Sequence, residues 1–149
     1  MPEPLGEPVS TSTFVDAAHA SNVVTRRSST CNLFSCNGPI KAFSKQHNTV
    51  KSSTFVSELV ALCITRNLIL ELRTKLKSIG VPLKGPTDIY CNNQGVVKNT
   101  SIIKYKLNNK HNSTNYHFLT KEAAAGILRV GKEDTANNLD DLLTKLMPN

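Results

Sequence analysis

Apolar residues recur along this chain with two different periods. From Phe55 onward, Leu59, Leu62, Ile69, Leu72, Leu76 and Ile79 follow at spacings of three, four or seven, the stripe of one helix face, and Ser52, Ser53 and Thr54 stand before it as N-cap oxygens. Gly80 and Pro82 close the run, so the spacing predicts a helix of about 25 residues, roughly 37 Å long at 1.5 Å per residue. A stripe of that length needs a sheet to cover it. Shorter runs have the character of strands. Thr11 to Val15 is β-prone and ends on Asp16, followed by the small, polar Ala17-Ala18-His19-Ala20, which predicts a strand with a carboxylate at its end. Leu33-Phe34-Ser35-Cys36 and Pro39-Ile40-Lys41-Ala42-Phe43 flank Asn37-Gly38, a pair that tolerates positive φ at both hairpin positions, and so predict antiparallel neighbours. Asp88-Ile89-Tyr90-Cys91, between Pro86 and Asn92-Asn93, is too short for a helix and reads as a buried strand. Strand, long helix and strand imply a parallel crossover.

The remaining pattern completes the order. Asn115 to Ala125 is a second helical pattern closed by Gly126, Ile127 to Val130 a last strand, and Leu139 to Leu146 a last helix stopped by Pro148. Three strands, a helix, a strand, one or two helices, a strand and a helix predict an α/β fold, a mixed sheet with helices on its faces. The chain of 149 residues supports one core. Three of its seven prolines fall before residue 11. Residues 1–10 therefore read as a linker or lead-in arm and 11–147 as the domain.

Charge narrows the partner. Eighteen Lys and Arg against eleven Asp and Glu leave a formal +7, which favours an anionic partner such as nucleic acid or a lipid surface, and charge alone does not choose between them. Between Ile89 and Lys121 there is no Asp or Glu, whereas Lys98, Lys104, Lys106, Lys110 and Lys121 are present with His111 and His117. A stretch of one sign can follow a phosphate backbone, and the bland alternative is a solvated face. His111 and His117 lack the nearby Cys or third His of a zinc site, which leaves packing or phosphate contact. Cys31, Cys36, Cys63 and Cys91 form no Cys-x-x-Cys pair, and Cys63 and Cys91 stand in apolar runs, as buried reduced thiols do. No stretch approaches the ~18 apolar residues of a membrane span, and Met-Pro-Glu-Pro has neither the charge nor the apolar core of a signal peptide. The expectation is an intracellular protein with no membrane and no small-molecule cofactor.

Three acids from distant segments invite a site. Asp16 closes the first strand, Glu58 lies one turn into the long helix along the edge of its buried stripe, and Asp141 sits in the last helix. Mg²⁺ prefers oxygen ligands, and two such ions about 3.5 to 4 Å apart can clamp the attacking and leaving oxygens of a phosphodiester. Spacing alone leaves the alternative of ordinary surface acids open.

Ordered motifs run the length of the chain: Phe14-Val15-Asp16-Ala17, Thr25-Arg26-Arg27-Ser28, Pro39-Ile40 with Phe43-Ser44-Lys45-Gln46, Ser52-Ser53-Thr54 with Ser57-Glu58-Leu59-Val60-Ala61-Leu62, Tyr90-Cys91-Asn92-Asn93-Gln94, Lys110-His111, Tyr116-His117-Phe118 and Asn138-Leu139-Asp140-Asp141-Leu142-Leu143-Thr144-Lys145. In that order they resemble the ribonuclease H domain at the C-terminus of copia-type retrotransposon Pol polyproteins. The resemblance covers about residues 4 to 147. It implies a ribonuclease H-like fold, a five-stranded mixed sheet of three antiparallel strands followed by parallel crossovers, flanked by helices. It also implies hydrolysis of the RNA strand of RNA/DNA hybrids with two Mg²⁺ ions, Mn²⁺ being the substitute, and a reverse transcriptase domain of the same polyprotein as partner. The metal ligands fall on Asp16, Glu58 and Asp141. Nucleic-acid contacts are expected from Arg26, Arg27, Lys98, Lys104, Lys106, Lys110, His111 and Lys121, and the location as cytoplasmic, in a virus-like particle, or nuclear.

One catalytic position departs from that pattern. The family's Tyr-Cys-Asp-Asn-Gln motif is Tyr90-Cys91-Asn92-Asn93-Gln94 here, so Asn92 stands at a metal-ligand Asp. An amide keeps a carbonyl oxygen but brings no charge, and two divalent ions would face three negative charges instead of four. Cys31 at a usual Gly, Ala18 at a frequent second Asp and Asp140 at a usual Ala depart as well. The expectation is a detached, partly degenerate copy with weak or no activity. The alternatives are a still-active hybrid ribonuclease and a non-catalytic nucleic-acid-binding remnant.

Overall fold

The computed structural model of the chain describes residues 6–18, 29–35, 38–48, 54–91 and 110–132. Along them run β1 (Ser12–Ala18), β2 (Ser29–Ser35), β3 (Pro39–Gln46), α1 (Thr54–Ser78), β4 (Thr87–Cys91), α2 (Lys110–Ala124) and β5 (Leu128–Lys132). The strands form one sheet in the order β3-β2-β1-β4-β5. β1 pairs antiparallel with β2, and β2 with β3, whereas β1 with β4 and β4 with β5 are parallel. Strands joined directly run antiparallel, and those joined through a helix run parallel.

Period-two burial shows which face meets the helices. Thr13, Val15 and Ala17 of β1 and Thr87, Ile89 and Cys91 of β4 point inward, against Leu59, Ala61, Leu62 and Ile69 of α1 and Leu119 of α2. Burying each large aliphatic side chain contributes about 1.5 to 3 kcal/mol. On the other face Phe14 stacks on Tyr90, with ring centroids 5.3 Å apart. Both helices end in the same way. Gly80 and Gly126 take φ of 84° and 70°, and the N–H groups of Gly80 and Val81 bond to the carbonyls of Lys77 and Leu76, as those of Gly126 and Ile127 do to Ala123 and Glu122. This paired 5→2 and 6→1 closure needs a left-handed residue, which glycine supplies without a Cβ clash.

At one edge, β3 is exposed along its length except for half-buried Phe43. Pro39, Lys41 and Lys45, with a register shift opposite at Phe34/Ser35, make it a poor template for another strand. Within the segment read as a lead-in arm, Val9 donates to the Pro82 carbonyl and accepts from the Lys84 N–H, each at 2.9 Å.

Several boundaries differ from the sequence reading. β1 continues two residues past Asp16, because Ala17 and Ala18 pair with Thr30 and Ser29. The ladder overrides the low β-propensity of alanine. Ile79 lies beyond α1 and is 62% exposed, so it is not part of the buried stripe. α2 starts at Lys110, five residues before Asn115, because its polar opening residues carry no apolar period that would announce a helix, and β5 runs from Leu128 to Lys132. The helix expected over Leu139 to Leu146 and Asn37 of the hairpin turn lie outside the described residues.

A polar staple joins the helices. Arg66 of α1 donates to Glu122 of α2 at 2.7 Å, both side chains being mostly buried, and its guanidinium lies 5.0 Å from the Phe118 ring centroid. Arg66→Met is expected to destabilise the chain by about 2 to 3 kcal/mol, because Glu122 then loses its counter-charge in a poorly hydrated site. Arg66→Met with Glu122→Leu should recover most of that loss in urea denaturation. A double variant as unstable as the single one would show that the orphaned carboxylate is not the cause.

Candidate active site

β1 sits at the centre of the sheet and α1 packs against it, so Asp16 and Glu58 meet from different elements. Both are buried, Asp16 at 6% exposure and Glu58 at 3%. The Ala17 N–H donates to Asp16 Oδ1 at 2.9 Å. Burial first, and then the neighbouring Asp16 carboxylate, push the Glu58 pKa up to about 8, while the Ala17 N–H works in the opposite direction. Glu58 Oε2 has no hydrogen-bond partner. Desolvation and like charge both oppose ionisation there. A carboxylate pair of this kind, with one oxygen unsatisfied, fits a hard divalent cation, which wants oxygen ligands and brings the missing positive charge.

Asn92 and Asp141, the other two expected members of the set, lie outside the described residues, as do Arg26, Arg27, Lys98, Lys104 and Lys106. Among the described residues no three His, Cys, Asp or Glu side chains converge as a metal cluster. Lys110 and His111 open α2, and Lys121 is exposed near its end. Cys91 is a buried thiol, and Cys63 is a partly buried one whose pKa is pushed up to about 12 by burial, so Cys63 stays protonated and unreactive. The sequence reading missed the Arg66–Glu122 pair and the exposure of Phe118. Glu122 is the one acid of α2, and Phe118 falls off the Leu119–Ala123 face; those two signals point to them.

The sheet order and the two central carboxylates define a class. The chain superimposes on LC11-RNase H1, solved in complex with an RNA/DNA hybrid, with a TM-score of 0.66 at 10% identity over 90% of this chain and 92% of the other. Prototype foamy virus protease-reverse transcriptase gives 0.59 at 11% identity, over 95% of this chain and 21% of that one. The protein therefore has the ribonuclease H fold. No protein-family model matches it. Among sequences it is 30% identical over 136 residues to the retrovirus-related Pol polyprotein of transposon TNT 1-94 from Nicotiana tabacum, covering 91% of this chain and 10% of the relative. Against transposon RE2 of Arabidopsis thaliana the identity is 30% over 107 residues, 72% of this chain and 7% of that polyprotein. The chain is a ribonuclease H-like homologue of the Pol polyproteins of copia-type plant retrotransposons and spans a tenth or less of their length. Among the described residues no helix is long and apolar enough to cross a membrane.

Proposed function

We propose that residues 11–147 form a domain descended from a two-metal endonuclease that hydrolyses the RNA strand of RNA/DNA hybrids, and that its catalysis is impaired at Asn92. The observation that carries this reading is the buried Asp16–Glu58 pair with its unsatisfied Glu58 Oε2. Two carboxylates in a desolvated pocket are a liability for a purely structural role, and they have the ligand chemistry of Mg²⁺ or Mn²⁺. Asp16 and Glu58 would hold the ions, with Asp141 completing the set. Bound divalent cations supply the positive charge that stabilises in-line displacement at phosphorus. Asp16 is held by the Ala17 N–H and Glu58 by the packing of α1, so both carboxylates are oriented before a substrate arrives. Asn92 would contribute an oxygen without a charge, which would weaken ion binding and the activation that depends on it.

The hybrid as substrate is supported by the complex in which LC11-RNase H1 was solved, and a reverse transcriptase partner by the foamy virus protein, whose chain joins this fold to one. The formal +7 of the chain and its acid-free stretch suit a polyanion. Such a domain works inside the cell, in a particle or in the nucleus. The test is a cleavage assay on an end-labelled RNA/DNA hybrid with Mg²⁺ and with Mn²⁺, run beside a binding titration. Binding with little or no cleavage is the expected result. Brisk cleavage would overturn the impaired reading and leave an active ribonuclease. No binding would remove the hybrid as ligand.

A further inference from the structure

Four residues of α2 with exposed side chains, Thr114, His117, Phe118 and Lys121, share one arc of the helix at 100° per residue, away from buried Leu119. Phe118 is 47% exposed, a large apolar surface to leave in water on a helix. One side of its ring carries the Arg66 guanidinium at 5.0 Å. Glu122, the one acid of α2, is held by Arg66 at 2.7 Å and is only 14% exposed. The arc therefore presents a ring and one cationic side chain, Lys121, with no carboxylate of its own. Its charge is complementary to phosphate, and its exposed ring to the face of a base, a pairing that every unpaired nucleotide offers.

We propose that this arc of α2 binds unpaired nucleotides, with a base stacked on Phe118 and the adjoining phosphate held by Lys121 with His117 beside it. The inference rests on the hybrid-binding reading in one respect: the unpaired nucleotides are those of a single strand that continues beyond a hybrid. A duplex keeps its bases stacked inside and cannot use the ring, so the arc distinguishes an extended hybrid from a blunt one.

Fluorescence anisotropy with the full chain tests this on three probes: a labelled oligothymidylate, a blunt RNA/DNA hybrid and the same hybrid with a single-stranded extension. Phe118→Leu keeps an apolar contact for Arg66 but removes the ring, and should weaken oligothymidylate binding roughly 5-fold or more. It should abolish the advantage of the extension and leave the blunt hybrid unchanged, with melting confirming the fold. Phe118→Tyr should bind as the parent does. Lys121→Ala should flatten the salt dependence for oligothymidylate by about 0.7 in log-log slope. Equal binding by the Leu variant, a Tyr variant as weak as Leu, or a parent that ignores oligothymidylate would each overturn the proposal. A parent that binds oligothymidylate through Phe118 but never engages the blunt hybrid would uphold the arc and sink the hybrid reading instead.

Discussion

Asn92→Asp is expected to raise cleavage of the RNA strand of a hybrid in Mg²⁺ by on the order of 10² or more, the size of effect when several kcal/mol of transition-state charge stabilisation return. Asp and Asn are close to isosteric, so the change adds charge with little change of shape. By the proposed reading it adds that charge to a site where burial first, and then the Asp16 carboxylate, already push Glu58 up to about 8. Without metal the variant should therefore melt slightly lower than the parent, and with Mg²⁺ higher, because an ion that binds only the folded chain stabilises it by mass action. Calorimetric Mg²⁺ titration and a single-turnover cleavage assay read the two halves separately. A reverted chain that binds Mg²⁺ no better and leaves the RNA intact would move the defect to other departures, Cys31 and Asp140 first.

Glu58→Gln is expected to flatten the pH dependence of stability in the metal-free chain. In the folded state the carboxyl is pushed from 4.5 up to about 8, by burial first and Asp16 second. The folded chain then binds a proton that the unfolded chain releases more readily. The stability this provides is complete below the unfolded value near 4.5 and is lost as pH rises through about 8. Over that window the loss amounts to about 5 kcal/mol as an upper figure. Gln is neutral throughout, so the variant should match the parent near the acid end and exceed it at the alkaline end in urea denaturation without metal. Mg²⁺ should narrow the gap at the alkaline end by stabilising the parent alone. Parallel pH profiles for parent and variant would show that Glu58 is not the group that titrates.

What was legible in the sequence follows from where each signal originates. The long helix was readable because Leu59, Leu62 and Ile69 repeat at its period and Gly80 stops it. The burial of Glu58 was inferable from its place beside that stripe. The extension of β1 past Asp16 was not, since pairing with Ser29 and Thr30 decides it and a run of alanines gives no local sign of strand. The Arg66–Glu122 pair joins residues 56 positions apart, and no local pattern announces such a contact. The orphaned Glu58 Oε2 is likewise a product of tertiary packing.

The central place of β1 also bears on how the chain is made. Its second neighbour, β4, pairs Ser12 with Asp88, and the Thr11–Thr87 hydroxyl bond spans 76 positions. During synthesis at about 5 to 20 residues per second, one side of β1 stays open for on the order of 4 to 15 s after it emerges. Over that interval the strands available to β1 are β2 and β3, whose outer edge, β3, is guarded by Pro39, Lys41 and Lys45, while the other edge of β1, the strand that bears Asp16, has no strand to pair with. Nascent chains crowded on one message are thus most exposed to mispairing through β1, and the arrival of β4 ends that exposure.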